Sequence, residues 1–461
     1  MDTTVIEGAE RFFVPSAHTE IRVQKNRTRR VTLVAGNMSA NARNESSGVS
    51  SRVYKNGVYG FSSMAATDKS AIASVARAAA ENAEFMSAHV GKGTAMFPEE
   101  EKRDVSDFSE HSDVPQSVYI EAAKAVDGYI RDRYPKLQSR TVVCTADSTE
   151  KILVSSDGAY GRNIISRGYI YSVMKAETPS GSPVELMRVF GGGETFDKLF
   201  GDMSEVYSGI DAQYENIMKK REGVYPEAGV RTCILGGSLS GMIAHEAVGH
   251  TVEADLVLGG SVAAHSLGKR VASDLVNLTD FANTAFGERV PLPVYLDDEG
   301  TPAVDAPLIR DGILVGYMNS RETAAGFGMK PTGNARAYGF SDEPLIRMRN
   351  TAIHPGKDSL EDMIASVDDG YYLISTNNGQ ADTTGEFMFG VCMGYEIKHG
   401  KLGRAILDTT VTGVAFEMMK TIDMVSDRTE WDSSGFCGKK QPMAVGLGGP
   451  ALRCKITIGG R

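Results

Sequence analysis

Apolar and polar positions alternate early in the chain. Glu20 to Gln24 and Arg30 to Ala35 each set every second side chain on one face, the period of a half-buried strand. Val49 to Tyr54 and Val58 to Phe61 repeat the pattern on either side of Asn56-Gly57, a dipeptide that predicts a hairpin because both residues tolerate positive φ. The period then lengthens. Ile72, Val75, Ala76, Ala79, Ala80 and Ala83 share one face of a helix that Asp68 can cap. Phe97 to Asp113 is acidic and loop-like, and Pro115 opens a second helix running to about Arg133, where its missing N–H is harmless. Strand character returns at Thr141 to Cys144, Lys151 to Ser155 and Asn163 to Met174, with Ser156 to Ala159 as a turn. Residues 196–222 read as mostly helical despite Gly201 and Gly209. Tyr225-Pro226 to Gly229 breaks the pattern, so a domain boundary is expected near 223. Residues 1–223 form an N-terminal α/β domain with an antiparallel sheet and helices, and residues 224–461 form a second domain.

The second domain reads as β-rich apart from its opening. Arg231 to Leu235 is a short buried strand, and Gly236 to Gly241 leads into a helix. Further strands are expected at Val294 to Leu296, Leu308-Ile309, Ile313 to Val315, Tyr371 to Ile374, Phe387 to Val391, Gly394 to Lys398 and Arg404 to Leu407. Asp311-Gly312, Asn378-Gly379 and His399-Gly400 mark turns between them, and Ser320 to Gly326 and Gly413 to Ser426 are helical interruptions. A loop-like tail from Gly435 ends in a strand at Leu452 to Ile458. The whole is an α+β fold, without a repeat of solenoid period.

Composition narrows the function. A net charge of −10, from 49 basic and 59 acidic side chains, argues against a nucleic-acid partner. The N-terminus lacks the basic and apolar regions of a signal peptide, and no window approaches the ~18 apolar residues of a membrane span. Five cysteines, an odd count without a C-x-x-C pair, do not suggest a disulfide framework. A reducing cytoplasm is the expected location.

Candidate chemistry concentrates in the helix after Gly241. His245, Glu246, His250, Glu253 and Asp255 fall within eleven residues, in a chain with only eight histidines. The zinc-protease pattern H-E-x-x-H spaces its imidazoles by four, which keeps both on one helix face. A spacing of five turns the second ring by roughly 140° and advances it by roughly 7.5 Å on an ideal helix. Two nitrogens that must each lie about 2.0–2.1 Å from one zinc cannot then meet. A metal site therefore requires the helix to widen into a π turn or to break, for which Gly249 is suited. The competing reading is a polar helix face lining a domain interface. A third ligand could be Glu253, Asp255 or a cysteine. Cys144, Cys233 and Cys392 sit in apolar strand contexts, whereas Cys437 lies in the loop-like Gly435-Phe-Cys-Gly438. Pro331 to Arg336 could face a substrate, and phosphate-binding loops and G-x-S-x-G elbows are absent.

Taken together, several segments resemble the TldD/PmbA family of metallopeptidases, on the TldD side. They are Ser46 to Val49 with Gly57 to Phe61, Ala244 to His250 with Glu253 and Asp255, Asp298 to Pro302, Asp311 to Tyr317, Pro331 to Arg336, Gly379-Gln380 with Gly385 to Phe387, and Cys437-Gly-Lys. The resemblance spans most of the chain from about 46 onward, and its first 45 residues are shorter than the family's usual opening. It implies an N-terminal α/β domain joined to a β-rich, barrel-like C-terminal domain that carries the metal-site helix. It also implies zinc held by His245, His250 and Cys437, with Glu246 as general base. Glu253 and Asp255 then fit as hydrogen-bond partners of the imidazoles. The implied activity is hydrolysis of unfolded or extended peptides by a dimer, either a homodimer or a heterodimer with a metal-less paralogue. Two other functions share these features: a non-catalytic dimer partner or peptide-binding scaffold, and a zinc hydrolase of small amides.

Overall fold

The computed structural model describes residues 2–90, 104–106 and 113–460. Most of the acidic stretch read as a loop from Phe97 to Asp113 lies outside these residues. The N-terminal sheet is built from β1 (His18–Val34), β2 (Asn37–Lys55), β3 (Val58–Met64), β4 (Asp104–Ser106), β5 (Ser139–Ser155), β6 (Tyr160–Glu177) and β7 (Pro183–Gly192). Its order is β3-β2-β1-β5-β6-β4, with β7 also on β6. The two runs expected within residues 20–35 are one strand, because the polar residues between them pair with both β2 and β5. Tight turns carry the hairpins. Ala35-Gly36 and Asn56-Gly57 have positive φ at both residues, which matches the twist of the strands they join.

Three long helices cover one sheet or its edge. α1 (Lys69–Val90) starts at Asp68, whose carboxylate accepts from the N–H of Ser70 and Ala71, and buries Ile72, Val75, Ala76, Ala79 and Ala83. α2 (Gln116–Arg133) follows Pro115 as expected. Residues 196–222 divide into a single turn, α3 (Phe196–Leu199), and α4 (Ser204–Arg221). Ile130 of α2 and Ile210 and Ile217 of α4 pack into one core with Val142 and Ile170 of the sheet. β7 escaped the sequence pattern because only Val184 and Leu186 turn inward along it.

Beyond β8 (Gly229–Leu235) the chain forms a closed five-stranded barrel. β8 pairs with Asp369–Ala381 and Leu452–Ile458, which continues through Thr409–Val414 to Glu386–Lys398 and back to Asp369–Ala381. A six-stranded sheet centred on Leu278–Phe281 and Asn350–Ile353 lies beside it. Three expectations need correction. Val294 to Leu296 is not a strand: Pro291 and Pro293 remove ladder donors just before it, and only a single bridge from Leu296 to Pro302 forms. Asn378-Gly379 is not a turn but a bulge inside a strand, where Thr376 and Gly379 oppose Val391 and Phe389. A side chain at Gly379 would collide with the Phe389 ring. The helix expected over Gly413 to Ser426 is confined to Ala415–Met419, because Thr409–Val414 belongs to the barrel. Among the described residues, no helix is long and apolar enough to cross a membrane.

The N-terminal sheet meets the C-terminal half through buried charge. Arg52 binds Glu20 through both ends of its guanidinium and reaches Glu299 at 2.8 Å. Lys151 binds Asp298 at 2.6 Å and the Ala337 carbonyl at 2.8 Å, and Arg22 donates to the carbonyls of Gly339 and Asp342. Burial alone would raise the Glu20 carboxyl, but Arg52 and His18 outweigh it and hold the group at about 2, below its ordinary 4.5. A depressed carboxyl stabilises the fold fully above its unfolded pKa, and that contribution fades as pH falls through the folded value. Glu20→Gln should therefore lower the urea-unfolding free energy by about 3 kcal/mol near neutral pH, as expected when one partner of a buried pair is removed. The deficit should shrink between about pH 4.5 and 2; a pH-independent deficit would mean that the charge of Glu20 is not what matters.

Candidate metal centre

The centre grows from the exit of β8. Gly236 donates its N–H to the Leu373 carbonyl on the neighbouring barrel strand, and α5 (Gly237–Met242) begins at once. α5 approaches the strand Gly446–Gly449 closely; side chains at Gly241 or Gly449 would press on the facing backbone or on Ser240. Leu239, Ile243, Ala244, Ala247 and Val248 are fully buried in the same core as Leu373, Phe389 and Val411 of the barrel. That packing fixes where the polar residues of the helix must point.

Residues 243–249 form a π helix, followed by a 3-10 turn at His250–Val252. The His250 N–H donates to the His245 carbonyl, five residues back. This wider turn brings the two rings together, with centroids 5.2 Å apart and planes at 77°. Gly249 does not act as a hinge, since its φ is −53°. It is small because Met348 presses on it: a Cβ there would overlap Met348 Sδ and lie 3.1 Å from the Ala244 carbonyl.

Cys437 arrives from the far end of the chain, in a two-residue strand paired with Met443–Ala444. One donor atom from each of His245, His250 and Cys437 falls within 4.8 Å of the others. Cys437 Sγ lies 3.2 Å from His250 Nε2. Glu246, about a fifth exposed, sets one carboxylate oxygen 3.8 Å from His245 Nε2 and the other 3.6 Å from His250 Nε2. His250 turns its other nitrogen, Nδ1, toward Glu253 Oε2 at 2.8 Å. Asp255 touches neither imidazole and instead binds Lys439 Nζ at 2.7 Å.

The donor set suits a metal ion on two counts. His245 is buried with both ring nitrogens lacking a hydrogen-bond partner, which is costly unless something else satisfies them. Two imidazoles and one thiolate are also the nitrogen and sulfur ligands that zinc prefers. The cysteines differ sharply. Burial pushes the thiols of Cys144, Cys233 and Cys392 up to about 12, as for inert core residues. Burial also acts to raise Cys437, but the imidazoles of His245 and His250 reverse it and bring the thiol down to about 3. For His250, burial lowers the pKa, yet Cys437 and Glu253 together raise it to about 10. The thiolate is the form that binds metal.

Several residues at the centre were not read from sequence. Arg347, fully buried, donates to the carbonyls of Cys437, Lys439 and Gln441 and so fixes the loop that carries the thiol. Arg167 and Tyr169 of β6 bind the Ser433 carbonyl, and Tyr171 binds that of Ser434, so the N-terminal sheet braces the approach to Cys437. Lys439 stands in the Cys-Gly-Lys segment, but nothing local shows that it pairs with a carboxylate 184 positions earlier. The Pro331 to Arg336 loop is turned inward: Asn334 donates to Asp280 and the Arg347 carbonyl, and Arg336 donates to the Met348 carbonyl.

Two histidines, a cysteine and an adjoining carboxylate on this α+β scaffold define a candidate metal centre. The chain belongs to the PmbA/TldD metallopeptidase family: residues 228–460 match the PmbA/TldA metallopeptidase C-terminal domain and residues 19–83 match PmbA/TldA metallopeptidase domain 1. It is 33% identical over 270 residues to a zinc metalloprotease TldD homolog of Saccharolobus solfataricus, covering 58% of this chain and 59% of that one. It is 36% identical over 275 residues to a metalloprotease TldD homolog of Haemophilus influenzae, covering 59% and 56%. The chain thus matches less than two thirds of the length of either relative. A metalloprotease of Methanothermobacter thermautotrophicus aligns over 96% of this chain and 95% of its own length at 29% identity. Among solved structures, TldE from Thermococcus kodakarensis shares the fold with a TM-score of 0.77 over 99% of both chains at 16% identity.

The tight fit around Gly249 yields a direct prediction. Gly249→Ala should destabilise the protein by about 1–3 kcal/mol, the usual cost of overpacking a core. Because the added methyl pushes on the turn that aims His250, any affinity of the candidate centre for added zinc, measured against a chelator, should fall as well. Unchanged stability and affinity would contradict the packing described.

Proposed function

We propose that this chain is a zinc-dependent peptidase acting on unfolded or extended peptides. The observation that carries the reading is the convergence of His245, His250 and Cys437 within 4.8 Å, with the Glu246 carboxylate beside both histidines. The metalloprotease names of the relatives support peptide hydrolysis in particular. His245, His250 and Cys437 would hold the ion, and zinc bound there would supply Lewis acidity and a more acidic water near neutral pH.

The remaining roles belong to the protein. Glu246 accepts the proton of the attacking water and delivers it to the leaving amine. Its partial exposure beside a buried His245 lets solvent reach the carboxylate. Glu253 accepts a hydrogen bond from the Nδ1–H of His250, which leaves Nε2 facing Cys437 and the ion. A dimer, homomeric or with a metal-less paralogue, forms part of this reading, and native mass tests it.

Glu246→Ala should retain one zinc per chain and lose peptide cleavage by at least about a hundredfold, the lower end for a positioned general base. Cys437→Ala should lose most of the zinc. Metal analysis and digestion of an unfolded polypeptide read both. Wild-type cleavage by Glu246→Ala would sink the mechanism, and preferential turnover of a dipeptide amide would instead favour a small-amide hydrolase.

A further inference from the structure

We infer that Lys439 is a positioning residue of the metal centre, acting in a relay from Asp255 through Lys439 and Glu253 to His250. The inference rests on the reading of His250 as a metal ligand.

The relay is visible in distances and burial. Glu253 is fully buried, and its Oε2 serves both His250 Nδ1 at 2.8 Å and Lys439 Nζ at 3.4 Å. Its other oxygen has no hydrogen-bond partner. A buried carboxylate so sparsely bonded needs a cation nearby, and Lys439 supplies it. The ammonium donates hydrogen bonds to Asp255 at 2.7 Å and the Ile346 carbonyl at 3.1 Å, and pairs by charge with Glu253 at 3.4 Å. The Lys439 side chain is one-tenth exposed, while Asp255 is more open, so Asp255 holds the ammonium from the solvent side.

The backbone at Lys439 is equally determined. Arg347 binds the carbonyls on both sides of the turn, Lys440 has a φ of +55°, and the Gln441 N–H returns to the Lys439 carbonyl at 2.6 Å. Lys439 therefore cannot be repositioned by sliding the loop. Its charge fixes the Glu253 carboxylate on Nδ1, and Nδ1 in turn fixes the direction of Nε2 toward Cys437. Groups that orient a metal-binding histidine from behind commonly govern affinity by roughly 10–100-fold.

The test measures zinc affinity of the full chain by competition with a chelator, and the thiolate-to-cobalt charge-transfer band after loading with cobalt(II). Lys439→Met should weaken zinc binding by roughly 10–100-fold. Asp255→Asn, at a more exposed position that leaves the loop intact, should weaken it in the same direction by a smaller factor. In a Glu253→Gln background, Lys439→Met should add less than about a twofold loss, because coupled residues are not additive. That last result separates a relay from mere loop stability. Wild-type affinity and an unaltered cobalt band in both Lys439→Met and Asp255→Asn would overturn the inference. So would a full additional loss in the Glu253→Gln background. If the wild-type protein takes up no zinc, the peptidase reading fails and the relay falls with it; normal wild-type uptake with unaffected variants defeats the relay alone.

Discussion

One backbone hydrogen bond, from the His250 N–H to the carbonyl of His245 five residues earlier, sets the geometry of the candidate metal centre. On an ordinary helix these side chains would leave about 140° apart. The π turn gathers them on one side, with the Glu246 carboxylate alongside. Such a turn has poorer intrinsic geometry than an α-helix, so tertiary packing has to hold it. Here the support is specific. The apolar residues of the turn are buried in the barrel core, and a side chain at position 249 would have to displace Met348.

The second requirement is that a residue nearly two hundred positions away reach the same point. Cys437 is delivered by a short ribbon that owes little to its own sequence. Arg347 fixes its carbonyls from one side, while Arg167, Tyr169 and Tyr171 of the N-terminal sheet fix the segment before it from the other. The N-terminal half thus contributes to the centre without supplying a ligand. Its docking through buried arginine, lysine and carboxylate pairs gives that contribution a defined geometry, because ion pairs are directional where apolar contacts are not.

Much of this was legible beforehand, and the reasons differ by residue. Asp68, Pro115 and Asn56-Gly57 act locally, so their helix starts and hairpin were readable from the chain. The five-residue spacing of His245 and His250 was readable as a geometric demand, and the π turn is one of its two solutions. Asn378-Gly379 misled because the dipeptide's usual meaning was overridden by a ring, Phe389, on the next strand. Val294 to Leu296 misled because flanking prolines outweighed an apolar run. The roles of Arg347, Lys439 and the tyrosines of β6 could not be read, since they depend on contacts across the fold. The assignment of Cys437 came from family resemblance, not from spacing.

The most direct measurement is X-ray absorption at the zinc edge on the purified, zinc-loaded full chain. The account predicts one sulfur near 2.3 Å and two imidazole nitrogens near 2.0–2.1 Å, the distances expected for zinc with one cysteine and two histidines. The sulfur shell should vanish in Cys437→Ala. A zinc environment of nitrogen and oxygen alone in the wild-type protein would contradict it.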